Sequence, residues 1–243
     1  MLTGESASPA LRAAERRNFL TERQYIKTCL FPADLALPSE HCVYISQPQY
    51  HIDMMLGTGT SGTLFLHDYS VANEVLQKIS NEPARYHLNS FTQTRLKQYQ
   101  DVNTQLAQAL NPLMSEIKQR LQENNFTVVH VAGVYYDLTG DNNANFINGV
   151  YGKGSSGTFY LSPGSQIDRD IYNYDFIGWG ETFTEADNPL SYALMDAFQQ
   201  QLSPHVDTVY FLGKNDNTGF SEPAAMVSKE KAGLYCMTLQ KYA

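Results

Sequence analysis

Two short segments of this chain repeat one another, Gly57-Thr-Gly-Thr-Ser-Gly-Thr63 and Gly152-Lys-Gly-Ser-Ser-Gly-Thr158. Both read Gly-x-Gly-x-x-Gly-Thr, and both stand between short apolar runs: Ile52 to Leu56 and Thr63 to Leu66 around the first, Phe146 to Val150 and Thr158 to Leu161 around the second. Glycine supplies the positive φ that a tight turn needs, so each segment predicts a β-hairpin. The same spacing marks dinucleotide-binding loops. Those glycines open a helix after one strand, however, whereas these lie between two strands, and the turn is the better reading.

The elements downstream of each hairpin also recur. After the first, a helix is expected from Val71 to Ile79. A longer one carries Val102, Leu106, Leu110, Leu113, Met114, Ile117 and Leu121 at spacings of three and four, and a buried strand runs from Thr127 to Ala132. After the second come a helix from Pro189 to Leu202 and a strand from Thr208 to Leu212. The order strand, hairpin, helix, strand thus appears twice, which predicts an α/β fold built from an internal repeat. Upstream, Ser8-Pro9 starts a helix toward Leu30, Pro32 and Pro38 bracket a loop, and His41 to Ile45 reads as a strand. Residues 1–243 are therefore expected to form one domain, with 1–40 as helix-and-loop lead-in and 41–243 as the repeated units.

The charge of the chain narrows its partners. A formal net charge of -8 argues against a nucleic-acid surface, which needs clustered Lys and Arg. The N-terminal region is dense in charge between Leu11 and Arg23, and no apolar run reaches membrane-spanning length, so neither a cleavable signal nor a membrane partner is expected; the reading is cytoplasmic, with export by a route that leaves no cleavable signal as the alternative. Cys29, Cys42 and Cys236 have no CxxC spacing, which suggests neither a zinc cluster nor a disulfide framework.

Chemistry-bearing residues are few. In Tyr50-His-Ile-Asp-Met54, His51 and Asp53 would share one face if the segment is a strand. A carboxylate there stabilises an imidazolium, as a general acid/base requires, although a surface pair or a satisfied core pair has the same pattern. Cys236, past Gly233, reads either as a nucleophile or as a small buried hydrophobe, while Cys29 and Cys42 read as core. His67 is expected to pair locally with Asp68. His87, His130 and His205 read as structural or exposed, and no histidine has the helical spacing of a metal ligand, so no metal or cofactor is implied.

Taken in order, Tyr50-His-Ile-Asp-Met54, the strands after it, Asn145-Phe-Ile-Asn-Gly149 and Gly233-Leu-Tyr-Cys-Met-Thr-Leu-Gln240 resemble the guanidine-modifying enzymes, in the agmatine deiminase and bacterial peptidyl-arginine deiminase branch. The likeness runs over roughly residues 41 to 242. It implies the pentein fold, a five-bladed α/β propeller of ββαβ units, of which this chain holds about three. It also implies a guanidinium substrate (agmatine, arginine or a protein arginine), with Cys236 as nucleophile, His51 as proton shuttle and Asp53 binding the guanidinium nitrogens. Asn145 and Asn148 would line the substrate pocket.

Two departures accompany the likeness. Tyr235 stands where the family usually has His before its Cys, and no Glu-Gly-Gly segment, which carries a further substrate carboxylate, occurs in the sequence. The expectations therefore stay plural: a deiminase, an amidinotransferase of the same superfamily, or a guanidine-binding module without turnover. A Cys-His-Asp protease or transglutaminase-like enzyme fits less well, because there the acid orients the histidine from a distance. The ring is expected to be completed by a missing N-terminal part or a second chain, or else to be abnormal.

Overall fold

A computed structural model describes residues 43, 45–46, 52–136, 144–164, 185 and 188–212, with backbone alone at 53 and 212. The chain divides into a unit Met1–Ile45 and a unit Ser46–Ala243. All the elements named below belong to the second. They form a mixed α/β structure of three small sheets and three helices among the described residues.

The first sheet opens with strand β1 (Leu56–Thr58), which turns into β2 (Thr63–His67) in antiparallel register, Leu56 opposite Leu66. Gly62 takes φ 79° at that turn, the left-handed conformation that the repeated glycine was expected to supply. Helices α1 (Tyr69–Asn81) and α2 (Ser90–Glu123) come next, and β3 (Thr127–Val131) returns parallel to β2, Thr63 opposite Thr127.

Local chemistry fixes both helix starts. Asp68 caps α1 by accepting from Ser70 N and Val71 N, and Asn89 caps α2 by accepting from Thr92 N at 2.9 Å. Helix α1 buries Tyr69, Ala72, Leu76 and Ile79, a stripe at helical spacing, against α2. At the far end of α2, Asn125 takes φ 66°, Asn125 N donates to Gln122 O and Phe126 N donates to Leu121 O. That is a Schellman stop with asparagine in the position glycine usually holds.

A two-stranded ribbon joins the halves: β4 (Val134–Tyr135) pairs antiparallel with β5 (Ala144–Asn145). The third sheet is the second predicted hairpin, β6 (Val150–Gly154) with β7 (Gly157–Pro163), turning through Ser155 and Ser156 with Gly157 at φ 127°. Helix α3 (Pro189–Leu202) begins on proline, and β8 (Thr208–Leu212) pairs parallel with β7. Asp207 fastens that pairing, accepting from Thr158 N at 2.7 Å and Thr158 Oγ1 at 2.8 Å. In each three-stranded sheet the return strand of the hairpin lies in the middle, antiparallel to one neighbour and parallel to the other.

One aromatic cluster lies between these sheets. Phe146 meets Tyr135, Phe198 and Phe211 at ring separations of 6.3, 5.8 and 5.9 Å, and Tyr160 meets Phe65 edge-on at 5.6 Å. All six rings are buried. The Tyr160 hydroxyl donates to Ile147 O directly beside Gly57, where a Cβ would come within 2.5 Å of that hydroxyl oxygen.

Two expected strands are corrected. Ile52–Met54 is a 3-10 turn closed by Met55 N donating to Ile52 O at 2.9 Å, and extended backbone begins only at Leu56. The turn shifts the pattern by one residue, so that Met55 enters the core at 0% exposure. The run Phe146 to Val150 is likewise interrupted, by a turn at Ile147 and Asn148, and β6 begins at Val150. The expected lead-in helix, the strand His41 to Ile45 and the strand around Cys236 lie outside the described residues, save Val43 and Ile45, which fall in no strand. None of the described helices is long and apolar enough to cross a membrane.

Candidate functional site

Cys236 and His51 lie outside the described residues, so the structure locates only part of the expected site: the backbone of Asp53 and the whole of Asn145 and Asn148. Asp53 is the middle residue of the 3-10 turn. From Ile52 onward the expected strand alternation therefore gives way to a turn with three residues per repeat, and His51 lies outside the described residues.

Asn145 ends β5 and is half-buried. Its Nδ2 donates to Met54 O at 3.1 Å, across 91 positions of sequence, and its Oδ1 accepts from Ile147 N and Asn148 N at 3.1 Å each. The second pair is an Asx turn, which is why the apolar run after Asn145 does not continue as a strand. Asn148, the next polar residue, is 1% exposed. The turn bearing Asp53 and the turn bearing Asn148 are thus held together by one side chain. The two turns also occupy matching places, since Asp53 stands as far ahead of Gly57 as Asn148 does of Gly152.

Beside this region lies a polar group that the sequence did not assemble. His67, expected to pair with Asp68, instead points its Nδ1 at the backbone, accepting from Gly133 N and Val134 N at 3.3 Å each. An acceptor at Nδ1 is the neutral ring protonated at Nε2. Burial drives the pKa of His67 down to about 3, against the opposing pull of the Asp68 charge. The partner of Asp68 is His130, with Nδ1 at 2.6 Å from Oδ2. Burial alone would raise the Asp68 carboxyl; the Ser70 and Val71 amides and His130 outweigh it and bring it below its usual range. An N-cap aspartate before an amphipathic run is visible in sequence, but its partner emerges only from the β2–β3 register, which brings His67 opposite Val131.

The phenols of Tyr135 and Tyr160 are pushed well above their ordinary range by burial. Among the described residues, no three His, Cys, Asp or Glu side chains gather as a metal site would require. No protein-family model, curated protein or solved structure matches the chain.

Proposed function

We propose that this chain acts on a guanidinium group by deiminase-type covalent chemistry. The observation that carries the reading is the hydrogen bond from Asn145 Nδ2 to Met54 O. It ties the backbone at Met54, next to Asp53, to Asn145, and the resemblance assigns Asp53, Asn145 and Asn148 to one active site. Within the same reading, the hairpin, helical crossover and parallel third strand of each larger sheet are pentein-type units.

In the proposed reaction the Cys236 thiolate adds to the guanidinium carbon, and ammonia departs with a proton delivered by His51. A water deprotonated by His51 then attacks the thiouronium carbon, the C–S bond breaks, and the ureido product leaves the free thiolate. Asp53 supplies charge-assisted acceptors to the guanidinium nitrogens, and the cation beside the sulfur favours the thiolate. Water is the only co-reactant, and no cofactor is needed.

The test is incubation of the chain with agmatine, L-arginine and an arginyl peptide, following ammonia and ureido product together. Equal yields of both, abolished in Cys236→Ala, support the reading. Unchanged turnover in Cys236→Ala removes the nucleophile. The lack of a Glu-Gly-Gly segment favours one second reading, a guanidine-binding module, for which calorimetry would register agmatine binding while the product assays stay silent.

A further inference from the structure

Asn145 was expected among the substrate ligands, and its hydrogen bonds argue for another task. The carbonyl oxygen of an asparagine side chain has two lone pairs, and both are directed at backbone donors here, Ile147 N and Asn148 N. The amide cannot be flipped, because its nitrogen would then face two N–H groups and its oxygen the Met54 carbonyl. What the side chain has left to offer a ligand is a single N–H. A guanidinium carries N–H donors only and needs acceptors, so Asn145 has nothing with which to bind it.

We infer that Asn145 is a positioning residue: through its bonds to Met54 O and to the amides of Ile147 and Asn148 it sets the spacing of the Asp53 and Asn148 turns. Its effect on turnover rests on the deiminase reading, whereas its effect on the two turns does not. The amide bridges the turns directly, and each turn is otherwise closed within itself, by Met55 N on Ile52 O and by Gly149 N on Ile147 O. Loss of the Met54 bond would therefore let the Ile52–Met54 turn open more often, while Asn145 Oδ1 still holds the Ile147 and Asn148 amides.

Asn145→Asp separates the two roles. One carboxylate oxygen still accepts from Ile147 N and Asn148 N, while the other faces the Met54 carbonyl and repels it. Hydrogen exchange on the chain without substrate should then show the Met55 amide exchanging faster, on the order of tenfold, with Ile147 and Asn148 still protected. Asn145→Leu should expose all three amides. Unchanged Met55 exchange in Asn145→Asp overturns the tie.

Kinetics with agmatine supplies the second readout. A positioning residue predicts a higher KM in Asn145→Asp, since Asp53 is no longer held in place. A substrate ligand predicts a lower KM, because the added carboxylate would face the cation, and that result overturns the inference. If the wild-type chain turns over no guanidine at all, the deiminase reading falls, and the exchange measurement alone upholds or overturns the tie.

Discussion

The carboxylate of Asp68 is divided between a helix and a strand: Oδ1 caps α1 through Ser70 N at 2.7 Å, and Oδ2 lies 2.6 Å from His130 Nδ1 on β3. Asp68→Ala removes both contacts and should cost about 1–2 kcal/mol in urea unfolding, most of it from the cap. Asp68→Ser keeps a capping oxygen but is too short for His130, and should recover at least half of that loss. The folded carboxyl titrates below the usual 3.8, so its contribution is present above that pH and fades as pH falls through the lower folded value. Equal losses in the two variants would mean that the cap contributes nothing.

His67 gives the fold a second, larger acid sensitivity. Its ordinary pKa of 6.5 falls to about 3 in the folded chain, so between these values the unfolded chain binds a proton that the folded chain refuses. Stability from this group is complete above pH 6.5 and declines as pH drops toward 3, by a few kcal/mol in all. His67→Asn keeps an acceptor for Gly133 N and Val134 N but takes up no proton. It should be less stable than wild type at neutral pH, yet flatter across that window; parallel curves would refute the assignment.

Gly57 and Gly154 occupy hairpins of the same pattern and should respond differently to alanine. A Cβ on Gly57 would lie 2.5 Å from Tyr160 Oη and 3.0 Å from Ile147 O, whereas on Gly154 its nearest contact is Gly157 O at 3.9 Å. Gly57→Ala should cost about 1–3 kcal/mol, because the tyrosine is held in the core by its own hydrogen bond and cannot easily withdraw. Gly154→Ala should stay within about 0.5 kcal/mol of wild type. Thermal melts of the pair decide it, and similar shifts would contradict the close approach.

Asp53→Asn keeps the side-chain shape and removes its charge. On the proposed reading the KM for agmatine should rise about 10- to 100-fold, the loss expected for charge-assisted hydrogen bonds, with a smaller fall in kcat. A kcat loss with KM unchanged would move Asp53 from binding the ground state to acting only in the transition state.

Both hairpins are legible because Gly62 and Gly157 need positive φ, a demand that sequence states openly. Helix α3 and strand β8 fall where Pro189 and the β-branched run from Thr208 put them. The turn at Ile52–Met54 is not legible, since Ile-Asp-Met-Met contains neither glycine nor proline and its apolar spacing suits a strand equally well. Asn145 misleads for a different reason. An asparagine in a strand-like run gives no sign of whether its amide faces a ligand or its own backbone, and here the bonds run to residues two, three and 91 positions away. The pairing of His130 is hidden in the sequence because its partner becomes adjacent only once β2 and β3 are joined.

The parallel placement of β3 beside β2 also constrains the order of assembly. Thr63 can meet Thr127 only after both helices have folded back, so this pairing closes a loop of more than sixty residues while the β1–β2 hairpin closes within a few. The hairpin and the α1–α2 pair are thus expected to form first, with β3 joining late. Truncations on β3, such as Val129→Ala, should chiefly hasten unfolding and leave the refolding rate nearly untouched.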